Sequence, residues 1–332
     1  MRPLLKGAAM GAVLLTSVAA NAAAIKPAVV FDMGGKFDKS FNESVFAGVE
    51  RFRKETGITY REFEVTNETQ REQALRKMAQ RGQTPIIGVG FAQAPAIKKI
   101  AREYPKLKFA IIDGVVDLPN VQSYIFKEQE GSYLVGILAA MASKTGKVGY
   151  IGGMDIPMIR AFGCGYVQGA RMANPKIEVI ENMTGSTPSA WNDPGRGSEL
   201  AKGQFDRGVD VVYAAAGGTG VGVYQAAKDS GKLAIGVDSN QNHLHPGTML
   251  TSMLKRVDVA AYNTFKEAYD GAWKPGIHKL GLKEDGVGWA LDENNKALIT
   301  PAMKARVEKA RADIIAGKIK VHDYRADNKC PM

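Results

Sequence analysis

Three acids stand where apolar runs of the chain end: Asp32 after Ala28–Phe31, Asp113 closing Phe109–Asp113, and Asp238 closing Leu233–Asp238. Short apolar runs of this length read as buried strands. In open α/β sheets ligands bind outside the carboxyl ends of strands. A carboxylate at such an edge suits the paired hydroxyls of a sugar, because it accepts from both, and it disfavours a neighbouring phosphate. Each acid taken alone reads equally as a turn former or helix cap. Three on the same edge point to a shared cleft.

The first of them opens the stretch AVVFDMGGKFDKSFNESVF. Gly34-Gly35 permit a sharp turn, after which Asp38, Ser40, Phe41 and Asn42 lie around the expected pocket mouth. Ser40 and Glu43 have capping-box spacing, and capping alone is the plainer reading of that pair. Phe41 is different, since a large ring at a helix start is badly placed for burial in a sheet. Farther on, Gly217-Gly218-Thr219-Gly220 resembles half of a dinucleotide fingerprint. The full pattern needs glycine at 218, 220 and 223, and position 223 is Val. What survives is a glycine loop at a helix start, whose backbone N–H groups can approach a polar ligand atom.

No catalytic set accompanies these residues. The four histidines are His243, His245, His278 and His322. His243-x-His245 sits beside the Pro246-Gly247 turn without a CxxC or HExxH companion, and reads as a solvated loop rather than a metal site. There is no G-x-S-x-G elbow, and Cys164 has no base near it in sequence. The expectation is a binding protein without cofactor or metal, not an enzyme.

The elements that must position these residues alternate. Beyond Ala28–Phe31, strands are expected at Tyr60–Val65, Pro85–Val89, Phe109–Asp113, Val121–Phe126, Val148–Ile151, Ile177–Asn182, Val209–Ala215 and Leu233–Asp238. Helical patterns occupy Glu68–Arg81, Ala92–Glu103, Glu130–Ser143, Met158–Ala173, Gly197–Arg207 and Gly220–Ser230. That alternation means βαβ units and a mostly parallel sheet, so the fold class is α/β, doubly wound. The pattern restarts: Lys147–Asp155, with Gly152-Gly153, echoes the first strand and its glycine loop. Two similar lobes follow, beginning near Ala28 and near Glu128, with a hinge where Ser123–Lys127 runs into the next helix. After about Ala272 the pattern loosens into a tail with one amphipathic helix after Pro301.

Residues 1–24 carry Arg2 and Lys6, an apolar stretch from Gly7 to Ala20, and Ala20-Asn21-Ala22, the small-x-small pattern of a signal peptide over residues 1–22. With no cysteine near the cleavage site, lipid attachment is not expected. Loss of Arg2 and Lys6 lowers the formal charge of +10 by two, to +8. The remaining basic residues are scattered over helix faces, which argues against nucleic acid. About 310 residues remain after the leader, more than one core usually holds, in agreement with two domains. Export makes a bridge between Cys164 and Cys330 chemically open, and spacing does not decide it.

Taken together and in order, Phe31-Asp32 through Ser40-Phe41-Asn42-Glu43, Ala216-Gly217-Gly218-Thr219-Gly220, and Gly236-Val237-Asp238-Ser239-Asn240-Gln241 resemble the basic membrane protein (BMP) family of ABC-transporter substrate-binding proteins. The likeness runs from about Ala28 to Tyr324. It implies the type I periplasmic-binding-protein fold, two doubly wound lobes joined by three crossings. The expected lobes are residues 25–127 plus about 241–255, and 128–240 plus about 256–332 with the tail. It implies a purine nucleoside as ligand, ABC permease and ATPase subunits of the inner membrane as partners, a periplasmic location and a monomer. Matched position by position, the aromatics are Phe41 and Trp191, the acids Asp113 and Asp238, and the lysine Lys255, with Asp32, Asn42 and Gly218 completing the site. Trp191 stands where the family usually has Phe, and Phe37 stands where many relatives carry an acid. Other readings left open are a sensor for a purine base or another flat metabolite, and an exported nucleoside hydrolase.

Overall fold

The computed structural model describes residues 25–331, so the leader expected over residues 1–22 lies outside it. In chain order the first lobe opens with β1 (Ala28–Phe31), α1 (Phe41–Thr56), β2 (Arg61–Glu64), α2 (Gln70–Gln80), β3 (Ile86–Val89), α3 (Ala94–Glu103), β4 (Phe109–Ile112) and β5 (Val121–Phe126). The second lobe follows as α4 (Glu128–Ala142), β6 (Lys147–Met154), α5 (Pro157–Ala173), β7 (Glu178–Gly185), α6 (Pro194–Asp206), β8 (Val211–Ala215), α7 (Gly220–Asp229), β9 (Leu233–Asp238) and β10 (Met249–Lys255). The chain returns to the first lobe as α8 (Val257–Tyr269) and β11 (Gly276–Leu280). It then crosses again to β12 (Val287–Trp289) and α9 (Pro301–Ile315).

The first sheet has the order β11-β5-β4-β3-β1-β2, and the second β12-β10-β9-β8-β6-β7. Every pairing is parallel except β10 with β12. Central strands such as AVVF of β1, FAII of β4 and VVYAA of β8 are buried along their whole length. That is why they read as unbroken apolar runs: helices cover both faces of a parallel sheet. Caps set the helix starts locally. Asp193 accepts from Arg196 N at 2.9 Å before Pro194, and Thr300 accepts from Met303 N at 3.2 Å before Pro301. Helices also cross closely at glycines, and a methyl group on Gly169 of α5 would sit 1.9 Å from the Tyr133 carbonyl oxygen of α4.

The lobe boundaries differ from expectation in two places. Residues 241–255 do not return to the first lobe, because β10 pairs with β9 in the second sheet. The segment after them, assigned to the second lobe, instead begins in the first. There α8 packs on α1, with Phe265 5.5 Å from Phe52, and β11 extends the first sheet beside β5. The second glycine pair is not a loop either, since Gly152 and Gly153 lie inside β6. The chain thus changes lobes three times, after β5, after β10 and after β11. The crossings lie side by side: Lys127 N donates to Leu280 O and Arg256 N to Gly286 O, each at 2.9 Å. Cys164 of α5 and Cys330 are joined as a disulfide, Cα atoms 5.5 Å apart.

Candidate functional site

The carboxyl ends of the two sheets face each other across a cleft lined by residues of both lobes, the place where open α/β sheets bind their ligands. Strand order sorts its lining. Near the crossings lie Asp113 after β4, Asp238 ending β9 and Lys255 ending β10. At the other end lie Asp32 after β1 and Trp191, which follows β7. Beyond Trp191 the cleft continues into a vestibule lined by Glu68, Arg71, Met154 and Pro188.

At the crossing end, Lys255 is 1% exposed, its Nζ 2.6 Å from Asp113 Oδ2 and 3.3 Å from Glu128 Oε1. The rings of Phe41, Phe126 and Phe162 surround the ammonium at 5.2–5.5 Å from their centroids. Asp113 Oδ1 is buried and has no hydrogen-bond partner. Burial raises Asp113 to about 6 although Lys255 opposes it, and burial likewise raises Asp238 to about 6 against Lys255 and Ser40. For Lys255, burial by itself lowers the amine, and Asp113, Glu128 and Asp238 outweigh it, so the net direction is up. Both strand-end acids are left-handed, Asp113 at φ 67° and Asp238 at φ 65°. Non-glycine residues held there store strain, which concentrates at ligand sites.

The opening stretch behaves differently from the capping-box reading. Asp38 caps α1, accepting from Ser40 N at 2.8 Å, Asn42 N at 3.0 Å and Glu43 N at 3.1 Å. Burial still pushes its carboxyl up to about 6. Ser40 is therefore free to donate across the cleft to Asp238 Oδ2. Beside it, Lys39 O accepts from Gln241 Nε2 at 2.8 Å and from Ser239 Oγ at 3.0 Å. These bonds hold the lobes together at one rim of the cleft.

At the far end Asp32 is bound by Arg71, whose Nε and one terminal nitrogen each donate at 3.1 Å. Burial raises the Asp32 carboxyl and Arg71 pulls the other way, with the net direction up. Asn42 is buried behind it, its Oδ1 accepting from Asp32 N at 3.3 Å and its Nδ2 donating to Asp38 at 3.3 Å. Trp191 packs against Gly153, where a Cβ would come within 2.2 Å of the ring.

Of the expected site residues, Asp32, Phe41, Asn42, Asp113, Trp191, Asp238 and Lys255 all line the cleft. Gly218 does not. Gly217, at φ 57°, takes that place, and Gly218 sits behind it against Trp191 O, Asn192 and Asp38. Sequence reasoning missed Arg71, Phe91, Met158, Phe162 and Glu128. An acid in the first turn of a helix, as Glu128 is, reads as complementing the helix dipole. The others carry no signal that separates them from core or surface residues.

The arrangement offers a largely apolar slot between two lobes, with acceptors and one ammonium at its crossing end. A family profile described as "ABC transporter substrate-binding protein PnrA-like" matches residues 25–324. The chain belongs to the Bmp family. It is 34% identical to the ABC transporter nucleoside-binding protein BmpA of Lactococcus lactis, over 90% of this chain and 89% of that one. It is 36% identical to an uncharacterized lipoprotein of Pyrococcus abyssi, over 83% of this chain and 72% of that one. Among solved structures it is similar to an ABC transporter solute-binding protein from Aeropyrum pernix K1, with TM-score 0.83, 32% identity, and 90% and 93% of the two chains covered. A Bmp-family member with this fold is a substrate-binding protein of an ABC transport system.

Proposed function

We propose that this Bmp protein captures a purine nucleoside between its lobes, without converting it, and delivers it to the permease and ATPase of an ABC importer. The observation that carries the reading is the crossing end of the cleft. A buried carboxylate oxygen of Asp113 lacks a donor there, next to the Lys255 ammonium and the left-handed Asp238. Buried acceptors are nearly always satisfied, and ribose hydroxyls are donors of the right size and number. Charge-assisted bonds of this kind are the stronger class. Phe41 and Trp191 reach the same cleft from opposite lobes, in keeping with a flat heterocycle stacked between them. The nucleoside-binding name of the Lactococcus relative supports the same ligand class.

In this reading Asp113, Asp238 and Lys255 hold the sugar, Phe41 and Trp191 the base, and Asp32 with Asn42 the base edge. The protein in this reading works in the periplasm as a monomer, freed of its leader. Calorimetric titration with adenosine, guanosine and inosine, followed by overnight product analysis, tests it. Tight one-to-one binding with unchanged ligand is expected. Release of free base or ribose would overturn the non-enzyme reading, and no binding to any purine compound would overturn the ligand class.

A further inference from the structure

The ligand-cleft lysine is the inner end of a chain of charges that leaves the site, buried at Lys255 and Glu128 and partly exposed at Arg325 and Asp323. Glu128, 1% exposed, faces Lys255 through Oε1 and Arg325 through Oε2, the latter at 2.9 Å. The Arg325 guanidinium also donates to the Phe126 carbonyl at 3.1 Å, at the first crossing. It is aligned from its own segment by both oxygens of Asp323, each at 2.9 Å. That segment is fastened to α5 twice. Gln168 and His322 exchange bonds at 3.0 and 2.9 Å, and Cys330 closes the disulfide with Cys164. All of Arg325–Cys330 lies past the last residue that the family profile matches, residue 324.

We propose that the C-terminal segment is a strap whose disulfide holds Arg325 under the hinge, where it positions Lys255 for the ligand through Glu128. The physical argument is competition for one ammonium. Glu128 and Asp113 both face Lys255, and at these distances in a dry site the attraction of either is large. With Arg325 on its other oxygen, Glu128 is neutralised from behind, and Lys255 stays on the Asp113 side of the cleft. Without Arg325, Glu128 keeps Lys255 as its sole buried counter-charge and draws it away. Among the described residues Arg325 makes its ion pairs with Glu128 and Asp323 and its backbone bond with Phe126, none of which lines the cleft, so its contact route to Lys255 runs through Glu128, with a longer-range attraction to Asp113 beside it.

The affinity arm of the test rests on the nucleoside reading, and the second arm does not. Calorimetry compares the native protein with Arg325→Ala, Glu128→Gln, the double variant, and Cys164→Ser/Cys330→Ser, using whichever of adenosine, guanosine and inosine the native protein binds. Arg325→Ala is expected to weaken binding roughly two- to thirtyfold, the range of such network couplings, with partial recovery in Arg325→Lys. The disulfide variant should weaken it in the same direction. In the Glu128→Gln background, Arg325→Ala should cost no more than about twofold further. Additive losses would mean general destabilisation and overturn the relay. The second arm follows the Cε resonance of Lys255 in carbon-13-lysine-labelled protein without ligand, identified by its loss in Lys255→Met. Arg325→Ala should shift it, and should not in the Glu128→Gln background. An unmoved resonance overturns the proposal even if no nucleoside binds, a result that would separately overturn the function.

Discussion

Gly153 and Trp191 form a single device, although 38 positions separate them in the chain. The ring lies where a Cβ on Gly153 would be, so Gly153→Ala must displace it. We expect Trp191→Ala to weaken adenosine and adenine alike, by about 1–3 kcal/mol for one lost stack, and Gly153→Ala to reproduce that pattern with Trp191 still present. Competition calorimetry with both ligands checks it. Asp238→Asn should behave in the opposite way, since it leaves the stack and removes a charge. Its folded carboxyl titrates at about 6 against an ordinary value of 3.8, with burial the main cause. Between those pH values the folded state holds a proton that the unfolded state has lost. The stability contributed by this group therefore falls as pH rises from about 4 to 6, and the full cost stands above 6. Asp238→Asn should stabilise the ligand-free protein by about 1–3 kcal/mol at pH 7.5, with the gain vanishing below pH 4, while adenosine binds more weakly. Urea melts at several pH values and titrations at pH 7.5 would show both signs; a destabilised variant at pH 7.5 contradicts the assignment. Both Asp238 and Asp113 were legible in sequence because each ends an apolar run. Arg71 and Glu128 were not, since a helix-face arginine and a first-turn acid look the same whether they face solvent or a buried acid.

Elements were legible where burial made them monotonous. The strands of both sheet centres stand within a few residues of their expected limits, because two covered faces leave no alternation to misread. What escaped were β10, β11 and β12, whose sequences MLTSMLK, GIHKL and VGW mix polar and apolar residues. Their lobe membership depends on long-range pairing that local pattern does not encode. A close helix contact was silent too. Gly165 and Gly169 look like helix weakeners, yet they let α4 and α5 approach backbone to backbone. Gly169→Ala raises intrinsic helix propensity by up to about 1 kcal/mol. We nevertheless expect it to lower stability by about 1–3 kcal/mol, because the added methyl has only backbone to displace. Chemical denaturation with unchanged far-ultraviolet dichroism is the check, and a stabilised variant would contradict the packing described.

At the scale of the whole molecule, each lobe is finished by chain that arrives only after a passage through the other lobe. The first core needs Phe265 of α8 against Phe52, and its sheet needs β11. The second sheet ends on β12, delivered after that excursion. Neither lobe is complete without the other's passage, so calorimetry should record one cooperative transition. Two resolved melting steps would show that the lobes are independent. Ligand should raise that single transition, in proportion to the logarithm of its concentration over its dissociation constant. The side-by-side crossings have a separate consequence, which concerns damage rather than folding. A protease that severs one peptide bond between Leu282 and Gly286 leaves two uncut connections at the crossings between the lobes. The nicked protein should migrate on a sizing column as one intact particle, stay one disulfide-joined species when denatured, and reveal its two fragments only when a reductant is added as well.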